Sequence, residues 1–154
     1  MVDSLQFQMT DEPVEADWQG LEGNINQFNM SLTGYQDYRP LAVFLREPAG
    51  VIIAGLTAFT WGRTLRILVL WVDENWRGRG YGSQLLTAAE QEALTRGCEQ
   101  AVLDTHSFQA PQFYSKRGYT VCGVIQDYPV GYQQFVFQKR LRAIINEAVG
   151  QCFV

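Results

Sequence analysis

Trp71-Val72-Asp73-Glu74-Asn75-Trp76-Arg77-Gly78-Arg79-Gly80-Tyr81-Gly82-Ser83-Gln84-Leu85-Leu86 reads as an apolar strand, a glycine-rich turn with two arginines, and the start of a helix. Glycines at 78, 80 and 82 let the backbone turn sharply and bring its N–H groups to a ligand without interference from a Cβ. The helix start adds unpaired donors and the positive end of a dipole, so the segment suits an anion. Arg77 and Arg79 add fork-shaped cations that match phosphate oxygens. The plainer alternative is a surface turn that only joins a strand to a helix.

Two common phosphate cradles are excluded. A P-loop needs Gly-Lys-Ser/Thr, and the only lysines of the chain are Lys116 and Lys139. The dinucleotide fingerprint G-x-G-x-x-G fails at its last position, which is Ser83. What stands here, Arg77-Gly78-Arg79-Gly80-Tyr81-Gly82, is an instance of [Gln/Arg]-x-x-Gly-x-[Gly/Ala]. It resembles the pyrophosphate-binding signature of the GNAT superfamily of acetyl-CoA-dependent N-acetyltransferases.

The remainder of the chain bounds the reading. Its 154 residues, 47% hydrophobic and 18% charged, fit one globular domain over 1–154 with a sizeable core. A net charge of −4 without a basic stripe argues against a nucleic-acid partner. The first 38 residues carry Asp3, Asp11, Glu12, Glu15, Asp17, Glu22 and Asp37 and no lysine or arginine. Such a segment is a solvated acidic face or, beside an active site, a bias toward a cationic acceptor. Cys98, Cys122 and Cys152 form no C-x-x-C pair, and His106 is the one histidine, so no metal site is expected and the thiols suit a reducing cytoplasm. No basic-then-apolar leader is seen. The longest apolar runs, near 51–59 and 67–72, fall well short of the roughly 20 residues a membrane span needs, so a soluble cytoplasmic protein is expected.

Periodicity then places the elements. Residues 5–9 alternate apolar and polar and predict a strand, while 14–32 have helical spacing that Gly20 and Gly23 divide into two short helices. Strands at 41–45, 51–59 and 65–72, joined by short turns, predict an antiparallel meander. A helix over 81–96 with Gly97 at its exit, a strand at 101–105, a helix near 110–117 with Pro111 in its first turn, and a strand pair at 121–125 and 134–137 complete the plan. The result is an α+β domain with a central β-α-β unit. Leu141, Ile144, Ile145, Ala148 and Val149 predict an amphipathic helix over about 141–150. That helix either closes the core or forms a homodimer contact.

A second motif joins the first. Gln112-Phe113-Tyr114-Ser115-Lys116-Arg117-Gly118-Tyr119 is similar to the Phe-Tyr-x-Lys-x-Gly-[Phe/Tyr] element that ends the cofactor site in the same superfamily. Both motifs occur in the family's order, and the resemblance covers about 40–140. It implies α/β/α layers around a mixed, mostly antiparallel sheet, with a V-shaped splay between the strand before the glycine turn and the next strand. It also implies that acetyl-CoA is the co-substrate and that no metal takes part. Backbone groups of Leu70, Trp71 and Val72 would meet the pantetheine arm, and one N–H of that strand would polarise the thioester carbonyl. Gly78, Arg79, Gly80, Tyr81, Gly82 and Ser83 would hold the pyrophosphate, with Arg77 and Arg79 neutralising its charge.

Family members transfer acetyl directly to an amine, and Tyr114 stands where the family places the acid that protonates the leaving thiolate. A thiolate, with a thiol pKa near 8.5, is less basic than a phenolate near 10, so a phenol is a reasonable donor, although Tyr114 could instead only position the sulfur. The histone acetyltransferase branch keeps a glutamate on the strand before the cradle, and Arg66 stands at that position here. The base is therefore assigned to Glu74, with Asp73, His106 or a water chain as alternatives. Many members place an asparagine seven residues before the tyrosine, and Ser107 takes that cofactor contact here. The implied reaction moves acetyl to a primary amine of a small cationic molecule. The alternatives are a non-catalytic acetyl-CoA-binding module and an enzyme acting on protein N-termini or lysines. Trp18, Phe28, Tyr35, Tyr38 and Tyr132 are candidate acceptor-side aromatics.

Overall fold

Strands β1 (Arg39–Arg46), β2 (Ile52–Trp61) and β3 (Thr64–Val72) each bury alternate residues, and the turns between them leave room only for antiparallel pairing with the next strand. This is the expected meander. The computed structural model describes residues 5–141 and divides the chain into two compact units that meet in sequence at Gln36 and Asp37.

In the first unit two expectations are corrected. Residues 5–9 form no strand; Leu5, Phe7 and Met9 are exposed, and alternation without a hydrogen-bonded neighbour does not make one. Residues 14–32 do not break into two helices. One helix, α1 (Glu15–Thr33), runs through Gly20 and Gly23 and ends at Gly34, whose left-handed φ of 73° returns its N–H to the Met30 carbonyl at 2.9 Å. Each interior glycine costs up to about 1 kcal/mol against alanine, which weakens a helix without interrupting its hydrogen-bond ladder.

The second unit continues with α2 (Tyr81–Thr95), β4 (Gln100–His106), α3 (Pro111–Ser115), β5 (Thr120–Gln126) and β6 (Gln133–Arg140). The sheet order is β1-β2-β3-β4-β6-β5, antiparallel except between β3 and β4. Gly97, at φ 81°, ends α2 as expected and donates to the Leu94 carbonyl at 2.9 Å. Leu141 is buried, and its N–H donates to the Glu99 carbonyl at 2.8 Å. The rest of the helix expected over about 141–150 lies outside the described residues, as does Cys152.

The parallel pair is short. Thr64, Leu65 and Arg66 face Gln100, Ala101 and Val102, and there the ladder ends although both strands continue. Just beyond, the β2–β3 register shifts between Thr57 and Ala58, and Leu68 is left without a partner. Such a bulge bends its strand, and β3 leaves β4 at this point. The expected splay is therefore present.

The core lies between the sheet and α2. Leu56, Leu65, Leu103 and Phe137 on the strands meet Leu85 and Leu86 on the helix, while Ala89 and Ala93 are fully buried and allow the helix close to the sheet. Each buried leucine contributes roughly 2 kcal/mol. Cys98 is buried and Cys122 exposed. Among the described residues no helix is long and apolar enough to cross a membrane, and no group of three or more His, Cys, Asp or Glu could hold a metal ion.

One polar link ties α2 to β6. The Tyr119 hydroxyl donates to Glu90 at 2.8 Å, and Lys139 donates to the other carboxylate oxygen at 2.7 Å. Tyr119 is only 2% exposed. Burial, and then the Glu90 charge, hold its phenol far above the ordinary tyrosine range. Both folded and unfolded chains keep this proton below pH 10, and above it the unfolded chain releases the proton while the native state retains it. Stability from this group is thus complete below about pH 10 and is lost as pH rises further, by up to about 1.4 kcal/mol per pH unit. Tyr119→Phe is expected to be about 1–3 kcal/mol less stable at pH 7, with a shallower decline above pH 10. Urea unfolding midpoints from pH 7 to pH 11 check both.

Candidate active site

The polypeptide leaves β3 through a turn that fixes its own geometry. The Asp73 carboxylate accepts from the Asn75 backbone N–H at 2.9 Å and from the Asn75 amide at 3.1 Å, setting a single 3₁₀ turn over Glu74–Trp76. Gly78 and Gly80 follow with φ of 74° and 83°, a region that suits glycine. A Cβ on Gly78 would meet nothing within 4 Å, so the backbone there is open to a ligand. The first hydrogen bond of α2 runs from the Gln84 N–H to the Gly80 carbonyl at 3.1 Å. The N–H groups of Tyr81, Gly82 and Ser83 precede it. No side chain caps them, and the first turn holds no acidic residue. A helix start left in this state is an anion site.

Gly82 is glycine for a different reason. A Cβ there would come within 3.3 Å of the Phe113 ring and 3.6 Å of Leu70. The start of α2 therefore rests directly on α3. Arg117 strengthens this joint: its guanidinium lies 3.6 Å from the Phe113 ring centroid, donates to the Phe113 carbonyl at 2.7 Å, and hydrogen-bonds the Ser83 hydroxyl.

Where β3 and β4 part, a cleft of about 780 Å³ opens. Leu70, Trp71 and Val72 form one wall, and the cradle residues Arg77, Gly78, Gly80, Tyr81, Gly82 and Ser83 line its mouth. Tyr114 faces it from α3. These residues, far apart in the chain, are brought together as expected. Arg77 also has an internal task, since its Nε–H donates to the Val72 carbonyl at 3.0 Å.

Four expected residues lie elsewhere. Arg79 is not part of the lining: it donates to the Asn75 carbonyl at 3.2 Å and stacks 4.8 Å from the Trp76 ring centroid. Ser107 is engaged with Gln133, donating its N–H at 2.8 Å and accepting at its hydroxyl at 3.1 Å, which closes the β4–α3 loop onto β6. Glu74 sits in the 3₁₀ turn outside the cleft lining. His106 lies at the end of β4, stacked on Phe108 with centroids 5.1 Å apart.

Tyr114 is 8% exposed and packs edge-on against Phe113 and Tyr119. Burial, and then the Asp104 charge, push its phenol above the ordinary range, so it carries its proton at neutral pH. Among the described residues its hydroxyl makes no hydrogen bond, yet no such buried oxygen is left unsatisfied, so it is accessible from the cleft.

Sequence reasoning missed Asp104. Among the described residues it is the one carboxylate that lines the cleft, where it pairs with Arg66 and accepts from the Gln134 amide at 2.8 Å. Its signal was parity: within the apolar run 101–105 it alternates with the buried Leu103 and Thr105.

Residues 7–119 match the model of the acetyltransferase (GNAT) family. The chain is similar to blasticidin-S acetyltransferase of Streptomyces morookaense, with 35% identity over 113 residues, 71% of this chain and 83% of that one. An acetyltransferase of Agrobacterium fabrum is 32% identical over 113 residues, 73% of this chain and 82% of the relative. The crystal structure of an acetyltransferase from Bacillus cereus superposes with a TM-score of 0.76 at 36% identity, covering 87% of this chain and 98% of the other. With its splayed sheet and its uncapped, glycine-led helix start, the chain belongs to the GNAT family of acetyltransferases.

Proposed function

We propose that the protein moves an acetyl group from acetyl-CoA directly to a primary amine of a small molecule. One observation carries the reading: the uncapped start of α2, led by Gly78 and Gly80, opens onto the same cleft as the protonated phenol of Tyr114. In this reading the N–H groups of residues 81–83 hold the pyrophosphate, and the cleft between β3 and β4 holds the pantetheine arm. The acceptor nitrogen, as the free amine, attacks the thioester carbonyl and forms the C–N bond, its surplus proton leaves to a water chain, the C–S bond breaks, and the Tyr114 hydroxyl gives its proton to the departing sulfur. Direct transfer is supported by the cleft lining. Among the described residues no cysteine is part of it, and the one serine hydroxyl there, that of Ser83, accepts from Arg117. A small-molecule acceptor is supported by blasticidin-S acetyltransferase, whose name states such an acceptor.

Thiol release from acetyl-CoA with a panel of amines tests the reaction. Binding without release for every amine would favour a cofactor-binding module instead. Gly80→Asp places a negative charge in the cradle, at a left-handed position that strains a side chain but that aspartate occasionally adopts. Affinity for CoA is expected to fall at least about tenfold by calorimetry, with the melting temperature lowered by only about a few degrees. Tyr114→Phe is expected to lower kcat by about a hundredfold or more while acetyl-CoA affinity stays near the parent value, as steady-state kinetics and calorimetry would show.

A further inference from the structure

The sheet separates two sides of the cleft. Leu103 and Thr105 turn toward the α2–α3 core, so Asp104 and His106 turn to the opposite face of β4. Trp71 is on that same face of β3, because its neighbour Leu70 pairs with core residue Leu56. Two kinds of side chain therefore meet at the far mouth of the cleft. One is the Asp104 carboxylate, held in a single orientation by Arg66 on one oxygen and by Gln134 on the other. A carboxylate offers about four acceptor positions, so each oxygen keeps a free direction.

The other is an aromatic group. Phe108, 55% exposed, lines the cleft, stacks on His106 and receives the edge of Tyr132 at 5.0 Å. Tyr128 leans on His106 at 5.5 Å, and Trp71, 45% exposed, stands on the β3 wall. Phe108, His106, Tyr128 and Tyr132 keep one another in place, and Phe108 and Trp71 each remain about half exposed. From Asp104 to His106 is two residues along a strand, roughly 7 Å.

We propose that Asp104 and Phe108, which line the same cleft, are the specificity residues of an acceptor subsite that takes an alkylammonium attached to an aromatic or heteroaromatic ring. Asp104 receives the ammonium, a water chain carries off its proton, and the free amine is left in the splay, while the ring lies against Phe108 and Trp71 stands on the β3 wall. Stacking rewards a flat π-surface over an aliphatic chain of similar size. The proposal rests on the acetyl-transfer reading and adds the acceptor class to it.

The test is steady-state thiol release with 2-phenylethylamine, hexylamine and spermidine. The parent protein is expected to favour 2-phenylethylamine in kcat/KM by at least about tenfold over both others. Phe108→Ala, at an exposed position, is expected to erase that preference. Asp104→Asn is expected to raise KM for every amine about tenfold or more and to leave KM for acetyl-CoA unchanged, which a merely structural role would not do. Equal use of hexylamine or spermidine by the parent, or a preference that survives Phe108→Ala, overturns the subsite and leaves acetyl transfer standing. Acetyl-CoA binding without turnover of any amine overturns both.

Discussion

Three residue pairs hold β3 to β4, and the functional part of the chain lies beyond the third. A parallel ladder continued through Ile67–Val72 would satisfy more backbone groups and leave no cleft. The bulge at Leu68 turns β3 aside, and the ladder β4 forms with β6 from Gln100 to His106 keeps β4 from following. The site is thus built where pairing stops, between a bulged β2–β3 ladder on one flank and a regular β4–β6 ladder on the other. The Arg66–Asp104 ion pair lies at the vertex, reaching from the last paired residue of β3 to the first polar residue of β4 past the split.

That arrangement gives the cleft two chemically distinct entrances. On the helix side are the open N–H groups of α2, the Arg77 and Arg117 guanidiniums, and the Tyr114 phenol. On the other side are one carboxylate and a set of exposed rings. Open N–H groups and Arg77 attend one mouth, while the acid at the other is shared with Arg66, so the two mouths offer different kinds of group. Tyr114 retains its proton because its surroundings are apolar and because Asp104 disfavours a second negative charge nearby.

Much of this was legible in the residues. The meander followed from alternation and short turns, the cradle from three glycines and a helix start, and the link between Tyr114 and the cradle from the order of two motifs. The failures share one cause, that tertiary contact decides what a local pattern cannot. Leu5, Phe7 and Met9 alternate like a strand but have no paired neighbour. Gly20 and Gly23 read as breaks but are tolerated inside α1. Arg77 and Arg79 read alike as phosphate forks, yet only Arg77 lines the cleft, while Arg79 stacks on Trp76 outside it. Asp104 became visible as a site residue only once the splay showed which stretch of β4 faces open space.

The contact between Gly82 and Phe113 couples two parts of the molecule more than thirty residues apart. A methyl at 82 would stand 3.3 Å from the ring at 113, which would have to give by a few tenths of an ångström. The helix that presents the open N–H groups and the helix that presents the phenol therefore seat against each other as a single hard joint. Drift at either position is constrained by the other: a lineage that gains side-chain volume at 82 must shed it at 113, and the two should covary as a pair. The anion end and the proton end of the site are in this sense inherited together.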